Sequence, residues 1–336
     1  RALTIGADPK KIIYAGVGKT TAEIRAALTA GILMFDVESE AELARIDSVA
    51  RELNRIAPVA IRVNPDIDPK THKNTTTGTA ETKFGMDFER TADLVKRMAA
   101  DYPRVILKGI HAHLGSPIYK PDPYAQYLDK VRPFLEREGI LDRIEYLNIG
   151  GGFAIDYKPN QSAVAQDYAS VIVPRVAAMN KKLILEPGRY ISGNSGVLVS
   201  EVQYVKNTGP KRFRIVDAGM NDLIRPALYD AFHEIWPLKA QTPPPLLGGT
   251  LDDAMPELDI VGPICETTDS FAKARRMPDV KAGDHLVLFS AGAYGASMSS
   301  RYNQHPLVAE VTVSGSDFVV SRRRETYRDM IAMERF

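Results

Sequence analysis

Four polar motifs recur in order along the chain: His113-Leu114-Gly115-Ser116, Gly150-Gly151-Gly152, Glu186-Pro187-Gly188-Arg189 and Cys265-Glu266. Each of the first three sits where an apolar run ends. In a parallel sheet this places them along one rim, the rim at which such folds bind phosphates and do chemistry. The fourth falls in a later, differently patterned segment. Together they predict a cofactor site shared between two domains.

Gly150-Gly151-Gly152 follows Tyr146-Leu147-Asn148-Ile149. Without Cβ atoms, three successive amides can turn inward around an oxyanion and cradle a phosphate; a tight turn is the alternative. Ser116 could add a hydroxyl to the same phosphate, or cap a helix or turn. A carboxylate at a strand end, Glu186, can hold a protonated pyridine nitrogen, the partner that makes a pyridoxal ring an electron sink. Arg189, three residues on, can reach an anionic group. The same two residues could form a structural ion pair. His113 could lie flat against a planar ring, a role that depends on the neighbouring motifs, whereas His111 reads as structural.

Arg225 and Tyr229, four apart on a helical segment, would face the same way and could fix a substrate carboxylate, or simply stack on each other. The Cys265 thiol is a plausible proton donor, and Glu266 could grip a substrate ammonium. A single Cys can equally be a small buried apolar residue. Tyr294, in Gly292-Ala293-Tyr294-Gly295-Ala296, could bring a phenol to a phosphate, or be an ordinary turn residue. His111 and His113 are close, but no Cys, His, Asp or Glu set at ligand spacing accompanies them, so no metal site is expected. No GxGxxG follows a strand and no P-loop occurs, which argues against nicotinamide and nucleoside-triphosphate chemistry.

These side chains must be positioned by regular elements. Strand-like runs at Ile12–Ala15, Met34–Val37, Val59–Asn64, Ile106–Leu114, Ile144–Ile149 and Leu183–Glu186 alternate with helical patterns over 20–30, 39–55, 87–100, 123–138 and 163–181. Such a series implies a parallel sheet with right-handed crossovers. The motifs follow at least three successive strands rather than one switch point, which favours a (β/α)8 TIM-type barrel whose first two strands are missing. After about residue 195 the texture becomes that of an antiparallel β domain, with strands at Val197–Val205, Arg212–Val216, His285–Phe289, Val308–Val313 and Asp317–Ser321 and a short helical insert at 221–235. The expected α/β organisation is a pyridoxal-binding barrel domain over 1–193 and a C-terminal β domain over 194–336.

The chain has 336 residues, with 43 basic side chains against 42 acidic ones. This balance gives no broad field for nucleic acid or an anionic membrane. Cys265 is the only cysteine, so no internal disulfide is possible and a reducing cytoplasm is expected. The apolar runs are strand-length, well short of the roughly 20 residues that a membrane helix needs. Arg1-Ala2-Leu3-Thr4 is not a signal peptide and contains no initiator Met, so we expect a fragment without its natural N-terminus.

The ordered motifs resemble those of the diaminopimelate decarboxylases, pyridoxal-phosphate enzymes similar in fold to ornithine and arginine decarboxylases and alanine racemase. The likeness runs from Ile12-Ile13-Tyr14-Ala15-Gly16 to Arg323-Arg324-Glu325-Thr326-Tyr327. It includes Asn64-Pro65-Asp66-Ile67-Asp68, Lys83-Phe84-Gly85, Gly109 to Ser116, Ile224-Arg225-Pro226-Ala227-Leu228-Tyr229 and Gly262-Pro263-Ile264-Cys265-Glu266. The resemblance implies conversion of meso-2,6-diaminopimelate to L-lysine and carbon dioxide with pyridoxal 5'-phosphate. It implies that His113 stacks on the ring, Glu186 keeps the ring nitrogen protonated, and Ser116, Gly150, Gly151, Gly152, Pro187, Gly188, Arg189 and Tyr294 hold the cofactor. Arg189, Arg225, Tyr229, Glu266 and Tyr294 would contact substrate, and Cys265 would deliver a proton. It also implies a homodimer in which Cys265, Glu266 and Tyr294 complete the partner's site.

The sequence departs from the family in one respect: it has no Tyr-Ala-x-Lys-Ala-Asn segment to supply the Schiff-base lysine. None of Lys10, Lys11, Lys19 or Lys83 has that context, so the chain by itself is expected to be inactive. A decarboxylase of arginine, ornithine or carboxynorspermidine, or a non-catalytic regulatory homologue, are the alternatives. Glu266 directly after Cys265 argues against the first, and the intact phosphate and thiol motifs against the second.

Overall fold

The computed structural model describes residues 1–69, 71, 77–78 and 82–335. The chain divides into two compact units, Arg1–Ala154 with Ser162–Pro187, and Ile155–Gln161 with Gly188–Phe336.

In the first unit, six strands pair in parallel and in chain order: β1 (Ile13–Tyr14), β2 (Met34–Val37), β3 (Ala57–Arg62), β4 (Val105–His111), β5 (Tyr146–Asn148) and β6 (Lys182–Ile184). The crossovers are helices α1 (Thr21–Ala30), α2 (Glu40–Glu52), α3 (Phe88–Asp101), α4 (Asp122–Arg137) and α5 (Ala165–Ala177). An open doubly wound sheet reverses its strand order at a switch point; this order never reverses, which is the winding of a barrel. Helix starts are set by side chains that satisfy otherwise unpaired amides. Thr20 and Glu23 form a reciprocal box at α1, and Ser39 and Asp87 cap α2 and α3. Each such cap is worth about 1 kcal/mol. Gly31 ends α1 in the left-handed region at φ 69°, which a Cβ would strain.

Strands covered on both faces carry almost continuous apolar runs, and Val59, Ile61, Ile110 and Leu147 pack with Phe35, Leu43, Leu94 and Leu135 in one core. All four residues of β2 are buried, so Asp36 is drawn into the interior with its apolar neighbours.

The second unit contains α6 (Gly188–Ser192), β7 (Leu198–Thr208), β8 (Lys211–Val216), α7 (Arg225–Tyr229), β9 (Ile235–Pro237), β10 (Glu257–Val261), β11 (Ser270–Arg276), β12 (His285–Leu288), the hairpin β13 (Glu310–Ser314) and β14 (Asp317–Arg322), and α8 (Tyr327–Met330). Its main sheet runs β11-β10-β8-β7-β12-β9. The sequence pattern misses β9, β10 and β11, and it predicts an antiparallel domain. The pairing of β8 with β10 is parallel, so the sheet is mixed. β10 is buried at three successive residues, Leu258, Asp259 and Ile260, and therefore shows no alternation. The insert expected over 221–235 is helical only at Arg225–Tyr229, because Asp230 turns into the left-handed region and ends it.

Ile110 and Ile106 lie on the same strand, the first fully buried and the second 45% exposed. Ile110→Ala should cost roughly 3 kcal/mol and Ile106→Ala well under 1. Urea midpoints for the two variants check this, and equal losses would contradict the buried-strand assignment.

Candidate active site

β4 ends at His111 and delivers His113 two residues later to the rim of the sheet. The Gly151 N–H donates to His113 Nδ1 at 3.0 Å, so the neutral ring carries its proton on Nε2. The His113 carbonyl accepts from Thr77 Oγ1 at 2.6 Å and from Arg62 at 3.4 Å. Burial, and then the Arg62 guanidinium, push the His113 imidazole down to about 4. Arg62 is itself buried against Glu38 at 2.6 Å.

The glycine triplet is required by close approach. A Cβ on Gly151 would overlap the carbonyl oxygen of Glu186, one on Gly152 that of Gly115, and one on Gly150 that of Ala112. Gly150 and Gly152 also take positive φ, 67° and 100°. The expectation that three amides turn toward an oxyanion needs adjusting. The Gly150 N–H donates to Asn148 Oδ1 at 3.0 Å, and the Gly151 N–H is engaged by His113. Tyr124, stacked on Phe153, donates its hydroxyl to the Gly151 carbonyl at 2.8 Å and braces the turn from the core. Ser116 is half-buried just past Gly115.

Glu186 follows β6, its amide bonded to the Gly150 carbonyl at 2.8 Å. Its side chain is 36% exposed, and one oxygen accepts from Asn148 Nδ2 at 2.7 Å. His111 lies between two carboxyl groups, Nδ1 at 3.5 Å from Asp36 and Nε2 at 3.4 Å from Glu186. One ligand atom from each of the three lies within 4.8 Å of the others, so the structure supplies two acidic neighbours that the sequence does not show beside His111. Opposite ring nitrogens face the two carboxyls, and neither makes a hydrogen bond to them. Burial, then the charge of Glu186, raises Asp36 well above the usual carboxylate range, and burial lowers His111. Lys19 is also buried here, held by Glu42 at 2.6 Å and by the carbonyls of Gly16 and Asp36, both at 2.7 Å.

In the second unit, Tyr157 links two of the expected arginines. Arg189 donates to its hydroxyl at 2.7 Å, and the Arg225 guanidinium lies over its ring at 4.8 Å. Arg189 also packs over Tyr294 at 4.9 Å, and Gly188 opens toward the Tyr294 hydroxyl. His233 Nδ1 lies 2.8 Å from the Phe289 carbonyl and must donate to it. Nε2 therefore accepts from Arg225, also at 2.8 Å. That fixes a neutral ring, which burial and then Arg225 push down to about 4 despite the Phe289 bond. Tyr229 shares α7 with Arg225 and is half-buried. Cys265 is exposed on the turn after β10, contrary to the buried alternative. Glu266 accepts from Thr268 Oγ1 at 3.1 Å and from the Tyr302 hydroxyl.

The residues that sequence reasoning missed are Asp36, Asn148, Tyr157, His233 and Tyr302. Asp36 leaves a signal, a lone acid inside the apolar run Met34-Phe35-Asp36-Val37.

The His113 ring should stay neutral throughout pH 5–8. In the unfolded chain it takes up its proton near 6.5, so this site lowers stability as pH falls from 6.5 toward 4, by about 1.4 kcal/mol per pH unit where steepest. Imidazole 15N NMR checks the point, and a His113 midpoint near 6.5 would contradict the half-buried, Arg62-flanked geometry.

Residues 1–193 match the family model described as the pyridoxal binding domain of pyridoxal-dependent decarboxylases. The diaminopimelate decarboxylase of Aquifex aeolicus is 44% identical over 326 residues, 96% of this chain and 74% of that protein. The structure of diaminopimelate decarboxylase from Helicobacter pylori complexed with L-lysine superimposes with a TM-score of 0.91 at 34% identity, covering 99% of this chain and 81% of that one. For the enzyme of M. jannaschii in co-complex with L-lysine the TM-score is 0.88 at 35% identity, over 100% and 76% of the two chains. A rim of His113, the glycine turn and Glu186 on a barrel-wound sheet, together with these matches, places the chain in the family of pyridoxal-dependent decarboxylases, among its diaminopimelate decarboxylases.

Proposed function

We propose that the natural protein to which this sequence belongs decarboxylates meso-2,6-diaminopimelate to L-lysine and carbon dioxide, with pyridoxal 5'-phosphate as cofactor. The observation that carries the reading is Glu186, a carboxylate held by Asn148 at the end of β6 beside His113 and the glycine turn. The residues present fit the cofactor. The turn tolerates no Cβ atoms, His113 offers a neutral ring, and Glu186 offers a partly exposed anion. When bound, pyridoxal phosphate supplies an electron sink for the carbon that loses carbon dioxide.

His113 would support the ring face, Glu186 would hold a proton on the ring nitrogen, and Ser116, Gly150–Gly152, Pro187, Gly188, Arg189 and Tyr294 would hold the phosphate end. Arg189, Arg225 and Tyr229 would bind substrate carboxylates, joined by Tyr294. Glu266 would receive the distal ammonium, and the exposed Cys265 thiol would return a proton to the substrate carbon. No lysine is assigned a covalent bond to the cofactor, and Lys19 already has three partners. The enzyme would work as a homodimer in the cytoplasm, with Cys265 and Glu266 completing the partner's site, whereas Tyr294 stays beside Arg189 and Gly188 of its own chain. No helix among the described residues is long and apolar enough to cross a membrane. The family match ending at residue 193 supports a pyridoxal-binding domain over 1–193 and a β domain over 194–336.

Assays of the gene product with the diaminopimelate isomers, lysine, ornithine and arginine should show turnover of the meso isomer; preference for ornithine or arginine would overturn the assignment. Glu186→Gln should leave cofactor binding largely intact and lower kcat by about 100-fold, since a neutral partner cannot keep the ring nitrogen protonated. Near-full activity in that variant would remove Glu186 from its role. Arg225→Lys should raise KM about tenfold with a smaller change in kcat, because the forked guanidinium binds substrate before and during reaction alike.

A further inference from the structure

Asn148 closes β5 and is wholly buried. Its Oδ1 accepts the Gly150 N–H at 3.0 Å, and this settles how the amide is turned. An N–H must meet the oxygen, so the NH2 end faces the carboxyl groups. One hydrogen goes to Asp36 Oδ2 at 2.9 Å and the other to Glu186 Oε1 at 2.7 Å. A single amide thereby ties together β2, Glu186 two residues beyond β6, and the glycine turn. Two carboxyls approaching one another in a dry interior repel unless a donor or a proton stands between them. His111 touches the same pair only at 3.4 and 3.5 Å, and both its ring nitrogens and Asp36 Oδ1 lack a hydrogen-bond partner. The short bond to Glu186 therefore comes from Asn148.

We propose that Asn148 is a positioning residue of this enzyme: it fixes the rotation of the Glu186 carboxylate through Oε1 and leaves Oε2 for the ring nitrogen of the cofactor. The proposal rests on the cofactor site described above. An N–H bonded to one carboxylate oxygen favours the charged form and restrains the group's rotation. Without that N–H, Glu186 turns to solvent or shares a proton with Asp36, and the ring nitrogen loses its anionic partner. The same amide holds Gly150, so the phosphate turn and the ring-nitrogen partner are set by one side chain.

The probe is 4'-deoxypyridoxine 5'-phosphate, which has no aldehyde and needs no lysine to bind. Its ultraviolet band differs between a protonated and an unprotonated ring nitrogen. The unsubstituted chain should bind it saturably at pH 8 with the protonated band. Asn148→Ala should bind at least tenfold more weakly and lose that band, as Glu186→Gln does. Asn148→Ser, which keeps a polar atom at the site, carries the comparison if the alanine variant does not fold. Retention of the protonated band in the Asn148 variants, whatever their affinity, overturns the proposal, because a merely structural residue would change affinity alone. Loss of the band in Glu186→Gln with its retention in the Asn148 variants sinks the proposal and spares the cofactor site. Retention in Glu186→Gln sinks both.

Discussion

A carboxyl group drawn into the interior of a parallel sheet has to be neutralised or supplied with a donor, and much of this molecule's first unit follows from that constraint. Asp36 enters the interior because every residue of β2 is covered. It lies near Glu186, and burial together with that neighbouring charge pushes it toward the protonated form. The Asn148 amide stands between the two acids. The two sites are asymmetric: burial pushes one carboxyl toward its neutral form in the core, and the other lies at the rim, where 36% of its side chain is exposed. Chemistry that needs one anion at a defined place is served by that separation.

The glycine turn belongs to the same arrangement. Its tight approach to Glu186, Gly115 and Ala112 leaves no room for side chains, and two of its amides are satisfied by Asn148 and His113. Replacing any one of these groups would disturb its neighbours, so effects of substitutions here should not add. The second unit uses a comparable device on cations. Tyr157 and a neutral His233 orient two buried guanidiniums through acceptors and a ring face, leaving their charge intact. Arginine stays charged in any environment, so the control falls on orientation.

The alternating strands and helices of the first unit were legible because each strand is a short apolar run and the first three helices carry recognisable caps. The rim residues were legible because a polar motif directly after an apolar run has few other readings. Asp36 and Asn148 were not. A single polar residue in a strand is ordinarily read as facing solvent, and a parallel sheet covered on both faces has no such side. Tyr157 and His233 lie in segments without periodicity, and their roles come from arginines that only folding brings near. In the second unit, β9 is three residues long and ends on Pro237, and β11 carries Lys273, Arg275 and Arg276, so neither matches a half-buried strand pattern.

The central claim is that Glu186, held by this network, confers a proton on the nitrogen of a bound pyridine ring. The most direct measurement is the 15N NMR shift of that nitrogen in labelled 4'-deoxypyridoxine 5'-phosphate bound to the chain, followed from pH 6 to 9. The account predicts a protonated shift across the whole range, collapsing to the unprotonated value at the upper end in Glu186→Gln. An unprotonated nitrogen at pH 8 in the unsubstituted chain, with the analogue fully bound, would contradict it.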